Sequence, residues 1–266
     1  MSICLEPSVK SSKFNPEILK TNLVDFKKLE TIHEKAFNSR LEKDLSLHGV
    51  QPPMKEALAY LNSDEFVKVI THSQQIYFNP EKNMKNTGII LYPGGKVDKR
   101  AYAPLARRLA KRGYSVVISD TTLQNIYKNN ARRIMDNNKN INKWYVGGHS
   151  FGGVMASETA HFNSDKINGV ILLSSFPMKN FAKKDINFLD IRATNDKILN
   201  STYADISYKL TTPKKQHQKV IIEGGNHSNF GYYNLQKGDG ISTISREQQQ
   251  KTILKSILNF LENDKK

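Results

Sequence analysis

From residue 88 onward, short continuous apolar runs alternate with segments whose apolar residues recur every three or four positions. The runs at 88–92, 115–119, 143–146, 169–175, 187–193 and 219–223 read as strands, that at 169–175 as one buried on both faces. The segments at 102–111 (stopped by Gly113), 125–135, 153–160 and 253–261 read as helices. Upstream, 65–70 and 75–78 alternate as the two arms of a hairpin opening the same sheet. Strands separated by helices form a mostly parallel sheet covered on both faces, with eight strands if the hairpin supplies two. Over 16–47 the spacing predicts one or two amphipathic helices behind an Asn15-Pro16 start, ended by Gly49-Val50-Gln51-Pro52-Pro53. The division expected is a helical extension over 1–55 and one α/β domain over 56–266.

The strand at 143–146 and the helix at 153–160 flank Gly148-His149-Ser150-Phe151-Gly152. In a strand-turn-helix setting, Gly-x-Ser-x-Gly forms a nucleophile elbow, whose glycines keep side chains clear of a strained turn that lifts the serine hydroxyl above the sheet. The Phe151 N–H then lies at a helix N-terminus, where it can hold an oxyanion.

A serine hydroxyl needs a base to become nucleophilic, and the base needs an orienting carboxylate. The strand at 169–175 ends without a carboxylate, but 187–193 runs into Thr194-Asn195-Asp196, and 219–223 runs into Gly224-Gly225-Asn226-His227. Ser150, Asp196 and His227 therefore fall at three strand ends in the order nucleophile, acid, base. Asp196 also suits a helix cap. Glu223 is the rival acid, expected to face solvent or brace a loop. His149 is expected to pack beside the serine.

The second oxyanion donor is expected after an earlier strand, where 88–92 ends in Pro93-Gly94-Gly95-Lys96; Gly95 N–H is the choice and Lys96 N–H the fallback. Lys96, His149, Phe230 and Tyr232 are the expected pocket residues, with Asp239 bracing the loop after His227. Only eleven residues separate Ser175 from Asn187, too few for a helical cap, so an open site and small or water-soluble substrates are expected.

With these motifs on the page, the chain resembles the α/β-hydrolase superfamily, in its lidless bacterial branch related to dienelactone-hydrolase-like proteins. The resemblance rests on 92–98, on 147–153, on Glu223-Gly224-Gly225-Asn226-His227, and on Phe230-Gly231-Tyr232, Gly238-Asp239-Gly240 and Ile244-Ser245-Arg246-Glu247-Gln248-Gln249, and it spans roughly residues 56–262. It implies an α/β-hydrolase fold without a cap domain and a Ser150, Asp196, His227 triad. Dienelactone hydrolases use a cysteine nucleophile where this chain has Ser150, which favours an ester over a lactone of that type.

Composition narrows the function classes. The net charge of +15 lies wholly on residues 81–266, with 30 Lys/Arg against 15 Asp/Glu, since residues 1–80 hold ten of each. The basic clusters lack the interleaved aromatics of a single-strand binder, so no specific nucleic-acid partner is expected. Neither a His-x-x-x-His pair nor a Cys/His cluster occurs, so neither metal nor cofactor is expected. Cys4 is the only cysteine, the N-terminus does not read as a signal peptide and no apolar run spans a membrane; a cytoplasmic protein is expected. The resulting expectation is a serine hydrolase acting on a small-molecule ester, with a thioesterase, an amidase or a noncatalytic ligand-binding protein of the same fold as alternatives.

Overall fold

A computed structural model describes residues 49–120, 130–211 and 217–264. The helices expected within 16–47 and residues 125–129 of the helix expected over 125–135 lie outside the described residues. The described strands are β1 (Val67–Thr71), β2 (Gln75–Pro80), β3 (Thr87–Tyr92), β4 (Ser115–Ser119), β5 (Lys143–His149), β6 (Ile167–Leu173), β7 (Asn187–Ala193) and β8 (His217–Ile222). They form one eight-stranded sheet in the order β1-β2-β4-β3-β5-β6-β7-β8. β1 and β2 form an antiparallel hairpin, β2 pairs antiparallel with β4, and every other pairing is parallel.

Helices α1 (Lys55–Leu58), α2 (Ala103–Ala110), α3 (Asn130–Asn137), α4 (Phe151–Phe162), α5 (Ser201–Tyr208) and α6 (Arg246–Asn263) complete the described elements, with short 3-10 turns between them. Successive strand residues point to opposite faces, so each continuous apolar run feeds two cores. Ile89, Leu91, Val116, Ile118, Ile171 and Leu173 meet α2 and α6 through Leu105, Leu109, Ile253 and Ile257. Their neighbours Ile90, Val117, Val146, Val170 and Leu172 meet α3 and α4 through Ile134, Met135, Met155 and Ala156. That division explains why these strands lack a polar alternation: neither face meets water.

β7 carries a charged pair inside this apolar frame. Asp190 and Arg192 lie two residues apart, hence on one face, and are buried, with a 2.7 Å contact between Arg192 Nη2 and Asp190 Oδ2. Arg192 Nη1 also reaches Asp205 of α5 at 2.7 Å, and Lys219 of β8 meets the same carboxylate at 2.7 Å.

The strand order positions the site. From β3 the chain moves to β4 on one side and then returns past β3 to β5, so the sheet reverses direction between β3 and β5. The loops at the C-terminal ends of these neighbours part there, α2 to one face and α4 to the other, which opens a crevice. β5 to β8 then follow side by side, and their C-terminal ends carry Ser150, Ser174, Asp196 and His227 in turn. Among the described residues, no helix is long and apolar enough to cross a membrane.

Candidate active site

β5 runs three residues further than its apolar run predicts. Gly147, Gly148 and His149 stay extended between β3 and β6, so Ser150 follows the strand directly. Ser150 has φ 53° and ψ −122°, a conformation rarely held by a residue with a side chain, at a typical cost of about 1–3 kcal/mol. The turn is held by Ser150 N–H to Leu173 O at 2.9 Å, Gly153 N–H to Ser150 O at 3.0 Å, and Ser175 Oγ–H to Ser150 O at 2.6 Å. Both glycines of the pentapeptide are required by contact. A Cβ on Gly148 would lie 2.2 Å from Gly152 O, and one on Gly152 would lie 2.3 Å from both Tyr92 O and Pro93 O. The first turn of α4 thus rests on the backbone at the end of β3.

His227 and Asp196 meet at the far side of the crevice. Their Nδ1 and Oδ2 atoms are 2.8 Å apart, with both side chains almost wholly buried. The second carboxylate oxygen accepts the N–H groups of Ile198 at 2.9 Å and Leu199 at 2.8 Å, so Asp196 caps its own loop while it holds the imidazole. Burial alone would raise its pKa, but the hydrogen bonds and the adjacent imidazole outweigh it and lower the value from 3.8 to about 2. A depressed carboxylate contributes stability above its unfolded pKa and loses it as pH falls through the folded one. Asp196→Asn is therefore expected to flatten the decline of unfolding free energy between pH 3.8 and about pH 2, read from urea melts; an unchanged slope would contradict the pairing.

The turn after β3 is tied to the elbow through two buried side chains. Gly94 N–H donates to the Tyr102 hydroxyl at 3.0 Å, and that hydroxyl lies 2.8 Å from His149 Nδ1. One hydroxyl thus ties the turn after β3 to the His149 ring. Burial holds the His149 pKa well below 6.5, so this ring is neutral at physiological pH. Its ring packs 4.4 Å from His227 and stacks on Phe230 at 5.4 Å. His149, expected among the pocket residues, is buried and packs against His227 and Phe230.

An elbow serine at a sheet reversal and a buried His–Asp pair two and three strands further on are joined by a direct match of the sequence. The sequence model of the Alpha/beta hydrolase family matches residues 88–251, more than half of the chain. The chain belongs to the alpha/beta hydrolase family. Solved structures with the same fold include a predicted CIB-like hydrolase from Thermoplasma acidophilum, 14% identical with a TM-score of 0.51 over 73% of this chain and 97% of that one. Est1E from Butyrivibrio proteoclasticus is 15% identical, TM-score 0.52, over 74% of this chain and 100% of its own. A candidate dienelactone hydrolase from Klebsiella pneumoniae subsp. pneumoniae is 10% identical, TM-score 0.53, over 74% and 98%. At these identities the likeness is one of fold. No curated protein matches the sequence.

The remaining predicted residues of this alpha/beta hydrolase divide by position. Ser150 is half-buried at the elbow, while His227 Nε2 is buried and makes no hydrogen bond to it or to any other described group. Gly95 and Lys96 form the partly exposed tip of the turn; Lys96 has φ 57°, and its carbonyl accepts Gln51 N–H at 2.7 Å. Phe230 and Tyr232, expected along the pocket wall, are packed inward instead. Phe230 has no exposed surface and lies against His149, and the Tyr232 hydroxyl is taken by Glu247 at 2.8 Å and Arg108 at 3.2 Å. A phenol buried this deeply needs polar partners at its tip, and α6 and α2 supply them.

Glu223 lies past the end of β8 and is exposed. Asp239 accepts the N–H groups of His227 at 3.3 Å, Ser228 at 2.7 Å and Lys197 at 3.3 Å, which braces the His227 loop to the Asp196 loop. Among the described residues, no group of three or more His, Cys, Asp or Glu side chains is arranged to hold a metal ion. Ser174, Ser175 and Tyr102 were not anticipated. The signal available for the serines was two hydroxyls directly after the apolar run of β6, at the sheet end where the other site residues emerge.

Proposed function

We propose that this hydrolase cleaves a small or water-soluble carboxylic ester through an acyl-enzyme on Ser150. The observation that carries the reading is the buried His227–Asp196 pair, 2.8 Å apart, at the sheet end that also carries a serine with φ 53°. His227 takes the proton from Ser150 as the hydroxyl oxygen attacks the ester carbonyl, and Asp196 stabilises the imidazolium that forms. Phe151 and Gly95 N–H groups receive the oxyanion. Gly94 N–H is committed to Tyr102, which leaves Gly95 and Lys96 to supply the donor from that turn. Each such donor lowers the barrier by about 3 kcal/mol.

Collapse of the tetrahedral intermediate breaks the ester C–O bond, and His227 returns its proton to the departing alcohol. Water then attacks the acyl-enzyme by the same steps in reverse, which frees the acid and restores Ser150. The preference for compact substrates is supported by the connection between β6 and β7, where residues 174–186 contain no helix that could form a cap. A single cysteine in 266 residues supports a reducing, cytoplasmic setting.

The test is hydrolysis of p-nitrophenyl esters of increasing acyl length, paired with labelling by a fluorophosphonate. The expected results are turnover with an optimum at short chains and one phosphonyl adduct, mapped by mass spectrometry to Ser150. An unlabelled Ser150 and no turnover of esters, thioesters or amides would leave the noncatalytic reading in its place.

A further inference from the structure

β6 ends at Leu173, and the next residue is the least explained polar group in the site. Ser174 is wholly buried and has φ 49°, in the left-handed region that residues with a Cβ seldom adopt. Its backbone is fixed by the N–H donated to Ile191 O of β7 at 2.7 Å. The hydroxyl that this conformation presents touches both halves of the acid–base pair. It donates to Asp196 Oδ2, and its oxygen lies 2.9 Å from His227 Nδ1.

The proton positions follow from the partners. Asp196 Oδ2 receives His227 Nδ1–H, so the hydroxyl proton of Ser174 can only go to the carboxylate. Two donors therefore share one carboxylate oxygen, while Oδ1 is taken by the Ile198 and Leu199 N–H groups. The other titratable groups against His227 are His149 from the end of β5, neutral through burial, and Asp239, whose carboxylate accepts the backbone N–H of His227. Neither competes with Ser174 for the Asp196 oxygen.

We propose that Ser174 is a positioning residue of the acid–base pair: its hydroxyl draws part of the Asp196 charge away from the imidazole and holds the ring in one orientation. A carboxylate with one donor fewer would bind the imidazolium more strongly and keep the base protonated to higher pH. The proposal rests on the reading of His227 as the base, and it adds a residue that tunes that base.

The experiment is an NMR titration of the His227 imidazole, assigned with His227→Gln, in the wild type, Ser174→Ala and Ser174→Gly. Both variants remove the hydroxyl, but glycine also relieves the positive φ, so agreement between them isolates the hydroxyl from the backbone. The His227 midpoint is expected to rise by about half a pH unit in both. For any ester the enzyme turns over, kcat/KM should fall about tenfold and its acidic limb should move in the same direction. A midpoint that stays put, moves down, or rises in only one variant overturns the proposal, even if activity is lost. The titration requires no substrate. A wild type inert toward esters but with a shifted midpoint in both variants would refute the ester hydrolase and leave the role of Ser174 standing.

Discussion

Ser150→Ala is expected to lower kcat for an activated ester by about 10⁶-fold while leaving the fold intact. The elbow holds its serine oxygen at the sheet end where His227 and Asp196 also emerge, and no other hydroxyl occupies that turn. What remains is the rate supplied by the oxyanion donors and by substrate binding, still roughly 10³-fold above water. Stability should be almost unaffected. Ser150 is half-buried and makes no side-chain cap to α4, and alanine meets the same backbone cost at φ 53° that serine already carries. Because the nucleophile and base act as a unit, Ser150→Ala combined with His227→Ala should be no slower than either alone. Steady-state kinetics and a thermal melt on the same preparations check both halves. A variant that kept even a hundredth of wild-type kcat would place the nucleophile elsewhere.

Arg192→Ala is expected to cost about 3–5 kcal/mol of unfolding free energy, without any contact to the substrate. The side chain is 5% exposed and pairs with Asp190, which has no exposed surface. Removing the guanidinium leaves a carboxylate inside the sheet with its main counter-charge gone, which is far worse than never having buried the pair. For a domain of this size the loss corresponds to a fall in Tm of roughly 10 °C.

The deficit should also depend on pH. Burial already raises the Asp190 pKa while Arg192 is present, and without Arg192 it rises further. A carboxylate whose folded pKa exceeds its unfolded value stabilises the fold below the unfolded pKa and loses that contribution as pH rises. Urea melts of the variant should therefore show a smaller deficit near pH 4 than near pH 7. Arg192→Met with Asp190→Leu, which removes both charges and keeps the volume, should recover most of the loss. A single-variant cost below 1 kcal/mol would show that the pair is solvated.

These two predictions rest on features that differ in how plainly the sequence announced them. Strand β4 begins and ends where its apolar run does, because burial on both faces leaves no polar interruption to blur the boundary. The apolar run of β5 stops short since Gly147 and Gly148 carry no hydrophobic signal, yet they continue the pairing up to Ser150. Apolar spacing starts helix α6 at 253, with the first apolar residue it detects; the helix starts at Arg246, set by the Ser245–Gln248 capping box. Its first turns bury Gln249 and Gln250, whose amides bond to the backbone of Asn226 and Asn229. Hydrophobic periodicity cannot detect a polar side chain buried for its hydrogen bonds.

The site divides in the same way. Ser150, Asp196 and His227 stand out in the sequence because the proposed chemistry demands particular residue types at strand ends. Ser174 and Tyr102 enter the site through their contacts alone, and a serine after a strand or a tyrosine before a helix has too many ordinary uses to stand out. The aromatic residues after His227 suggest a pocket wall, whereas Phe230 and Tyr232 are buried. Its composition does not show that Glu247 and Arg108 await the Tyr232 hydroxyl.

The grip of α6 on the base's loop has a consequence for how the enzyme comes into being. Arg246 donates to the carbonyls of Ser228 at 2.9 Å and Tyr233 at 3.0 Å, and Gln249 donates to Asn226 O at 2.8 Å, so the loop carrying His227 is anchored by residues made after it. On the ribosome, β3, β5 and the elbow are available to assemble while the anchors of the His227 loop have yet to be translated. On the proposed mechanism the nucleophile is therefore built first and armed last: a nascent chain would carry a serine that cannot yet be activated, and hydrolysis would begin only when the fold is complete through α6.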